Sequence, residues 1–242
     1  MGRKHIALVT LALLFAGPLF ACELEPTAAE RGETAVADGR LGDATAELGE
    51  AIDENPNEGD PYIQRGDVLV QRGEPDKAIL DYAQYVRINP EDAKGYLKRG
   101  DAYLMLKEYD KAILDLDQAV KLDSKLVRAY TLRAEAFIAV DRPEQAISDL
   151  DRATTLTSTT AEVYALRAKA YLILDSTQQA LKDVNEALRL DPQSALAYAA
   201  RAAIYARTGN DTRSQEDFTK ALDLGYNRTT LQEEIASAKN MN

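Results

Sequence analysis

The 242-residue chain contains one cysteine, one histidine and no tryptophan. Its histidine, His5, lies in a segment expected to be removed on export. Histidine general bases, Ser-His-Asp or Cys-His constellations and the usual zinc ligand sets therefore have nothing to be built from. Cys22 stands alone, so no internal disulfide forms. No glycine-rich phosphate loop occurs, and the carboxylates recur at a fixed spacing instead of forming an isolated acid–base pair. The expectation is a chain with no enzymatic activity, metal, cofactor or small-molecule substrate. Positive charge is also scarce. The formal net charge is −11, which argues against nucleic acid as a partner, because phosphate recognition rests on Lys and Arg.

Residues 23–60 hold twelve acids against Arg31 and Arg40 alone. Two readings are open: a polar cap on the end of the fold, or a surface that steers basic partners. Residues 6–15 form the one long apolar run, preceded by Arg3 and Lys4 and broken by Gly17 and Pro18. That is the pattern of an export signal over residues 1–22, and it falls short of the roughly 20 residues a spanning helix needs. A transmembrane anchor is the alternative. Leu19, Ala21 and Cys22 resemble the lipobox of bacterial lipoproteins, with Phe20 bulkier than that slot usually holds. The resemblance implies acylation of Cys22 and attachment to a membrane of the bacterial periplasm, the outer membrane in particular.

What the chain has in abundance is repetition. Stepping by 34 residues aligns it with itself six times without a gap, over 25–58, 59–92, 93–126, 127–160, 161–194 and 195–228. Small residues share one column (Gly32, Gly66, Gly100, Ala134, Ala168, Ala202), which is position 8 of each unit. Positions 4, 8 and 11 fall on one face of a first helix, and positions 20, 24 and 27 form the matching stripe of a second. Pro56, Pro90 and Pro192 end the second helix. A period of this length marks a solenoid in which each unit buries its apolar face against its neighbours. Residues 229–242 are expected to supply a terminal helix and tail, with Thr230 and Glu233 as a capping box.

Position 7 is arginine in every unit and position 23 is acidic in every unit. The expected pairs are Arg31 with Glu47, Arg65 with Asp81, Arg99 with Asp115, Arg133 with Asp149, Arg167 with Asp183 and Arg201 with Asp217. Arginine suits a partly buried pair, because its planar fork meets a carboxylate at two points.

These columns resemble the tetratricopeptide repeat, over residues 25–228. The resemblance implies an all-α fold: a right-handed superhelical solenoid of six helical hairpins and a C-terminal capping helix. It also implies that partners lie in the concave groove lined by the first helices. Carried over by position, that groove comprises Lys94, Leu97, Lys98, Asp101, Leu104 and Met105 in the third unit. The fourth contributes Arg128, Thr131, Leu132, Glu135 and Ile138, and the fifth Ala165, Leu166, Lys169, Leu172 and Ile173. Two readings are open for its aliphatic residues: a docking surface, or packing between adjacent first helices. Ile63, Asp67 and Leu132 replace the bases and amide of the family's carboxylate clamp, so that recognition mode is not expected. The Arg-Gly-Asp triplets at 65–67 and 99–101 fall inside helices by register, which removes them as adhesion motifs. The sequons at Asn210 and Asn227 are idle in a bacterial envelope. The functional expectation is a lipid-anchored, non-catalytic adaptor for a protein or peptide partner. A structural assembly subunit, homo-oligomeric or serving outer-membrane or pilus assembly, is the alternative.

Overall fold

The computed structural model describes residues 25–156 and 160–240, so the export segment and Cys22 lie outside the described residues. These residues form helices alone. The first helices of the six units are α1 (Ala28–Ala37), α3 (Asp60–Gln71), α5 (Ala93–Met105), α7 (Val127–Ala139), α9 (Ala161–Ile173) and α11 (Ala195–Arg207). Their second helices are α2 (Leu41–Glu54), α4 (Pro75–Ile88), α6 (Tyr109–Leu122), α8 (Pro143–Leu156), α10 (Thr177–Leu190) and α12 (Asp211–Asp223), and α13 (Arg228–Asn240) closes the chain. Each first helix packs most extensively on the second helix of its own unit, and each second helix on the first helix that follows. The result is a stack of antiparallel hairpins.

Packing follows from size matching between columns. Position 24 carries a fully buried side chain in each of the first five units, with Leu48, Tyr82, Leu116, Leu150 and Val184 all essentially inaccessible. Full burial of such a side chain contributes about 1.5–3 kcal/mol. The small residue at position 8 makes room for it: a Cβ on Gly66 would stand 2.5 Å from the Tyr82 ring. Position 27 is alanine everywhere except Tyr85. That ring lies directly against Gly59 and Gly95, which have no Cβ to obstruct it.

Every turn inside a hairpin has the same form. The residue at position 15 adopts φ near +57 to +75° in all six units, as glycine in Gly39, Gly73 and Gly209 and as Lys107, Asp141 and Asp175 elsewhere. The following amide donates to the carbonyl five residues back, as from Arg40 to Ala35 and from Glu108 to Tyr103, both 2.9 Å. This is a Schellman-type helix stop. Between hairpins, the hydroxyls of Tyr62, Tyr130 and Tyr198 at position 4 donate to the carbonyl six residues earlier, at 3.3–3.4 Å.

The arginine at position 7 joins all of this. Arg133 makes two parallel bonds to Asp149, 2.7 and 2.6 Å, and a third to Asp117 of the preceding unit, 2.7 Å. Arg167 repeats the arrangement with Asp183 and Asp151. Arg65–Asp81, Arg99–Asp115 and Arg201–Asp217 are bidentate, and Arg31–Glu47 makes a single bond of 2.6 Å. Four of these guanidiniums also cover the ring of the tyrosine three residues earlier, at 5.3–5.8 Å. Burial raises the pKa of Asp149, and Arg133 opposes that shift, so the pair holds a charge the interior disfavours. Removing one partner strands the other. Asp115→Ala, which leaves Arg99 without its bidentate carboxylate, is expected to lower stability by about 3–5 kcal/mol in urea unfolding. Glu47→Ala, at the wetter end of the ladder, should have a markedly smaller effect.

Candidate functional site: the concave face

The first helices α3 to α11 line one side of the stack, and their positions 5, 6, 9, 12 and 13 decide what that side offers. Position 9 is the most regular. Glu33, Asp67, Asp101 and Glu135 succeed one another along it before the sign changes at Lys169. Asp67 accepts from the Tyr82 hydroxyl at 2.7 Å and from Lys98 at 2.9 Å. Asp101 lies 3.9 Å from Arg128, which also pairs with Glu162 at 3.0 Å. Burial raises the pKa of both Asp101 and Glu135. The nearby cations Arg128 and Lys98 partly offset this for Asp101, and Lys169 does so for Glu135. Between the second and third units, Asp67, Val70, Tyr82, Lys98, Ala102 and Met105 enclose a depression of about 200 Å³.

The aliphatic residues expected in this groove divide. Met105 is 53% exposed. Leu97, Leu104, Ile138 and Ile173 are half-buried, the first three packed against core residues. Thr131, Leu132, Ala165, Leu166 and Leu172 are buried and therefore do not line a hollow. Leu132, Leu166, Ala165 and Leu172 belong to core clusters shared with neighbouring helices, and among the first helices α9 and α11 pack on each other most. The accessible part of the groove is consequently charged, formed by Lys94, Lys98, Asp101, Arg128 and Glu135 around Met105.

The C-terminal helix closes the other end. α13 packs mainly on α11, whereas each first helix from α3 to α11 also packs on the second helix before it. Its Glu234 reaches past α11 to Lys169 of α9, at 2.6 Å. The Tyr226 hydroxyl donates to the same Glu234 oxygen at 3.0 Å, and Arg207 donates to the Ala238 carbonyl at 3.4 Å. Burial alone would lower the Lys169 pKa, but the Glu234 carboxylate reverses this and leaves it raised. Burial pushes the Tyr226 hydroxyl up to about 12. The other Glu234 oxygen is buried with no hydrogen-bond partner among the described residues, which costs about 1–3 kcal/mol.

Local sequence explains the path. In most units the residue after the second helix is extended, as at Asn55, Asn89, Asp123 and Asp191. The equivalent residue of the last unit is Gly225, with φ of 92°. Only glycine adopts that angle freely, and it turns the chain differently. The helix start also differs from the expected capping box. Asn227, not Thr230, caps α13, accepting from the Thr230 amide at 3.0 Å.

The tetratricopeptide repeat family model matches residues 30–93 and 63–127, and a second model of the same description matches 161–194. Together they cover more than half of the chain. The chain is a tetratricopeptide repeat protein. No curated protein matches its sequence. Among solved structures, it is similar to a tetratricopeptide repeat protein from Parabacteroides merdae, at 22% identity and a TM-score of 0.67, covering 88% of this chain and 83% of that one. It is also similar to YrrB, described as a tetratricopeptide repeat protein with an unusual peptide-binding site. That match has 20% identity and a TM-score of 0.57, with 77% and 96% covered. A third likeness is to a chain of the APC/C hetero-tetramer Cut9-Hcn1, at 18% identity and a TM-score of 0.70, with 87% and 42% covered. At these identities the likenesses show the fold alone.

Within this tetratricopeptide repeat protein, both Arg-Gly-Asp triplets lie inside helices, in α3 and α5, with Gly66 and Gly100 buried. Sequence reasoning missed Glu234, Arg207 and Tyr226. The signal for them was the replacement of Asn or Asp by glycine at 225, together with the run of alanines in α11.

Proposed function

We propose that this protein is a non-catalytic interaction scaffold that holds a peptide or helical segment of a protein partner along the concave face of α3, α5 and α7. The observation that carries the reading is the accessible strip of Lys94, Lys98, Asp101, Arg128 and Glu135 around exposed Met105. Apolar contact at the centre with charge at the rim is the arrangement of a protein-binding patch. Mixed signs favour a partner that also carries both, such as an amphipathic helix. The peptide-binding site in the description of YrrB agrees with this use of the fold.

Anchoring at Cys22 to a membrane of the bacterial envelope completes the proposal. Leu19, Ala21 and Cys22 support it, directly after an apolar export segment. Two acyl signals hold a protein stably where one does not. Because the first unit begins at residue 25, the scaffold would stand close to the bilayer.

A second reading, a self-assembling structural subunit, is favoured by Leu80 and Leu114. They occupy the same position of consecutive units, on second helices, and are 67% and 69% exposed. Adjacent exposed leucines of this kind mark a contact surface.

Three measurements separate these readings. Capture of the partner from solubilised membranes should fall about tenfold or more with Met105→Glu combined with Arg128→Glu, at unchanged helicity. Unchanged capture removes the concave face from consideration. Cys22→Ser should move the protein from the membrane to the soluble fraction, and an unaltered distribution overturns the anchor. The chain lacking residues 1–22 should run as a monomer. A stable oligomer that Leu80→Ser with Leu114→Ser dissociates establishes the structural subunit instead.

A further inference from the structure

The part of the concave face over α9 and α11 is already occupied, and the occupant belongs to this chain. Every first helix from α3 to α11 packs on the second helix before it as well as on the one that follows, but α13 packs mainly on α11 and reaches α9. Its seat is made of small residues. Ala199, Ala203 and Ala206 hold the groove positions of the sixth unit, and all are buried. Against them α13 sets Leu231, Ile235 and Ala238, of which Leu231 and Ala238 are buried. Two cations grip it, Lys169 at Glu234 and Arg207 at the Ala238 carbonyl. These are groove positions 9 and 13, where a bound peptide would be held.

Its attachment to α12 is partial: Leu231 and Ile235 cluster with Phe218, Ala221 and Leu222, and beyond them a cleft lined by Ser214, Gln215, Phe218, Ile235 and Ala236 opens between the two helices. The contacts across it include Lys239 to Asp211 at 2.7 Å and Arg228 over the Phe218 ring at 5.6 Å, both at its ends. The connection is the short segment 224–227, whose Gly225 has the backbone freedom of a hinge. At the centre the latch is imperfect, because one Glu234 oxygen is buried without a hydrogen-bond partner among the described residues.

We propose that α13 is a displaceable intramolecular ligand that keeps the α9–α11 end of the groove closed. The partner segment this end accepts is then a helix of the same design: small and aliphatic residues on one face, with a glutamate placed to meet Lys169. This rests on the groove reading above and names the partner class and its regulation. A tethered helix has a high effective concentration, so a partner in solution competes at a disadvantage until α13 is released.

The probe is a fluorescein-labelled peptide copying residues 226–240, titrated into the full chain. Wild type should bind it weakly, because the cis helix fills the seat. Glu234→Lys places two cations at the latch and should expose the amides of 228–240 to hydrogen exchange while α9 and α11 stay protected. It should bind the peptide at one per chain, about tenfold or more tightly than wild type. Adding Lys169→Glu to that variant restores an opposite-charge pair, and both the protection of 228–240 and the weak binding should return. Should Glu234→Lys disturb α9 or α11, the wild-type chain still decides. Excess unlabelled peptide should strip protection from 228–240 alone. A released α13 with no gain in peptide binding overturns the proposal, as does a wild-type α13 that stays protected in excess peptide. Either result, alongside partner capture that still depends on Met105, would leave the groove reading intact.

Discussion

The structure depends on one guanidinium per unit. The arginine at position 7 leaves a first helix, crosses to the aspartate at position 23 of the second helix in the same unit, and covers the tyrosine ring one turn earlier. In the fourth and fifth units it also reaches an aspartate of the preceding unit. A hydrophobic seam between helices tolerates sliding and rotation, because apolar contact has no direction. A planar fork bound at two points does not. Burying these charges costs much of what their attraction returns, so their net contribution to stability is small even though deleting one partner is expensive. Their consequence is geometric. They fix the rotation of the two helices within each hairpin and, through Arg133 and Arg167, of the fourth and fifth hairpins on the units before them.

Within that framework, residue size changes along the inner face. The small side chains at positions 5 and 6 become more frequent toward the C-terminus, from Leu97 and Lys98, through Thr131 and Leu132, to Ala199 and Ala200. Burial at these positions is partial in the third unit and complete in the fourth, fifth and sixth, and Ile63 of the second unit is buried as well. By the sixth unit the inner face is a shallow floor of alanine on which another helix can lie. From the third unit to the sixth, the concave face thus passes from charged and open to flat and covered.

The features readable from sequence are those that repeat. Helix pairs, turn positions and the arginine–acid pairs recur every 34 residues, and each occurrence supports the others. Exposure of the groove did not follow from the same columns, because it depends on the separation of two neighbouring helices. Leu172 and Ile138 share position 12, yet one is buried and the other only half-buried. The course of α13 breaks the period altogether. Gly225 replaces the extended Asn or Asp of other units, and Tyr226 replaces the proline that follows it in Pro56, Pro90 and Pro192. Read as drift in a fading repeat, these two substitutions concealed a different turn. Glu234 lies 65 residues from Lys169 and belongs to no column, so no periodic argument connects them.

Charge along position 9 ties these observations together. Glu33, Asp67, Asp101 and Glu135 precede Lys169 on the same face. A lysine next in line after four acids would be neutralised by the nearest of them if the face were a closed electrostatic system. Lys169 does lower the cost of ionising Glu135, but its direct bond is to Glu234. The sign change thus coincides with the boundary between the covered and the accessible groove, and the cation there is spent on the helix that covers it. Withdrawing that helix would leave an unpaired ammonium beside an acidic strip. The concave face would then carry both signs along one line, and any helix binding along it would have its direction set by charge before a side chain fitted a pocket.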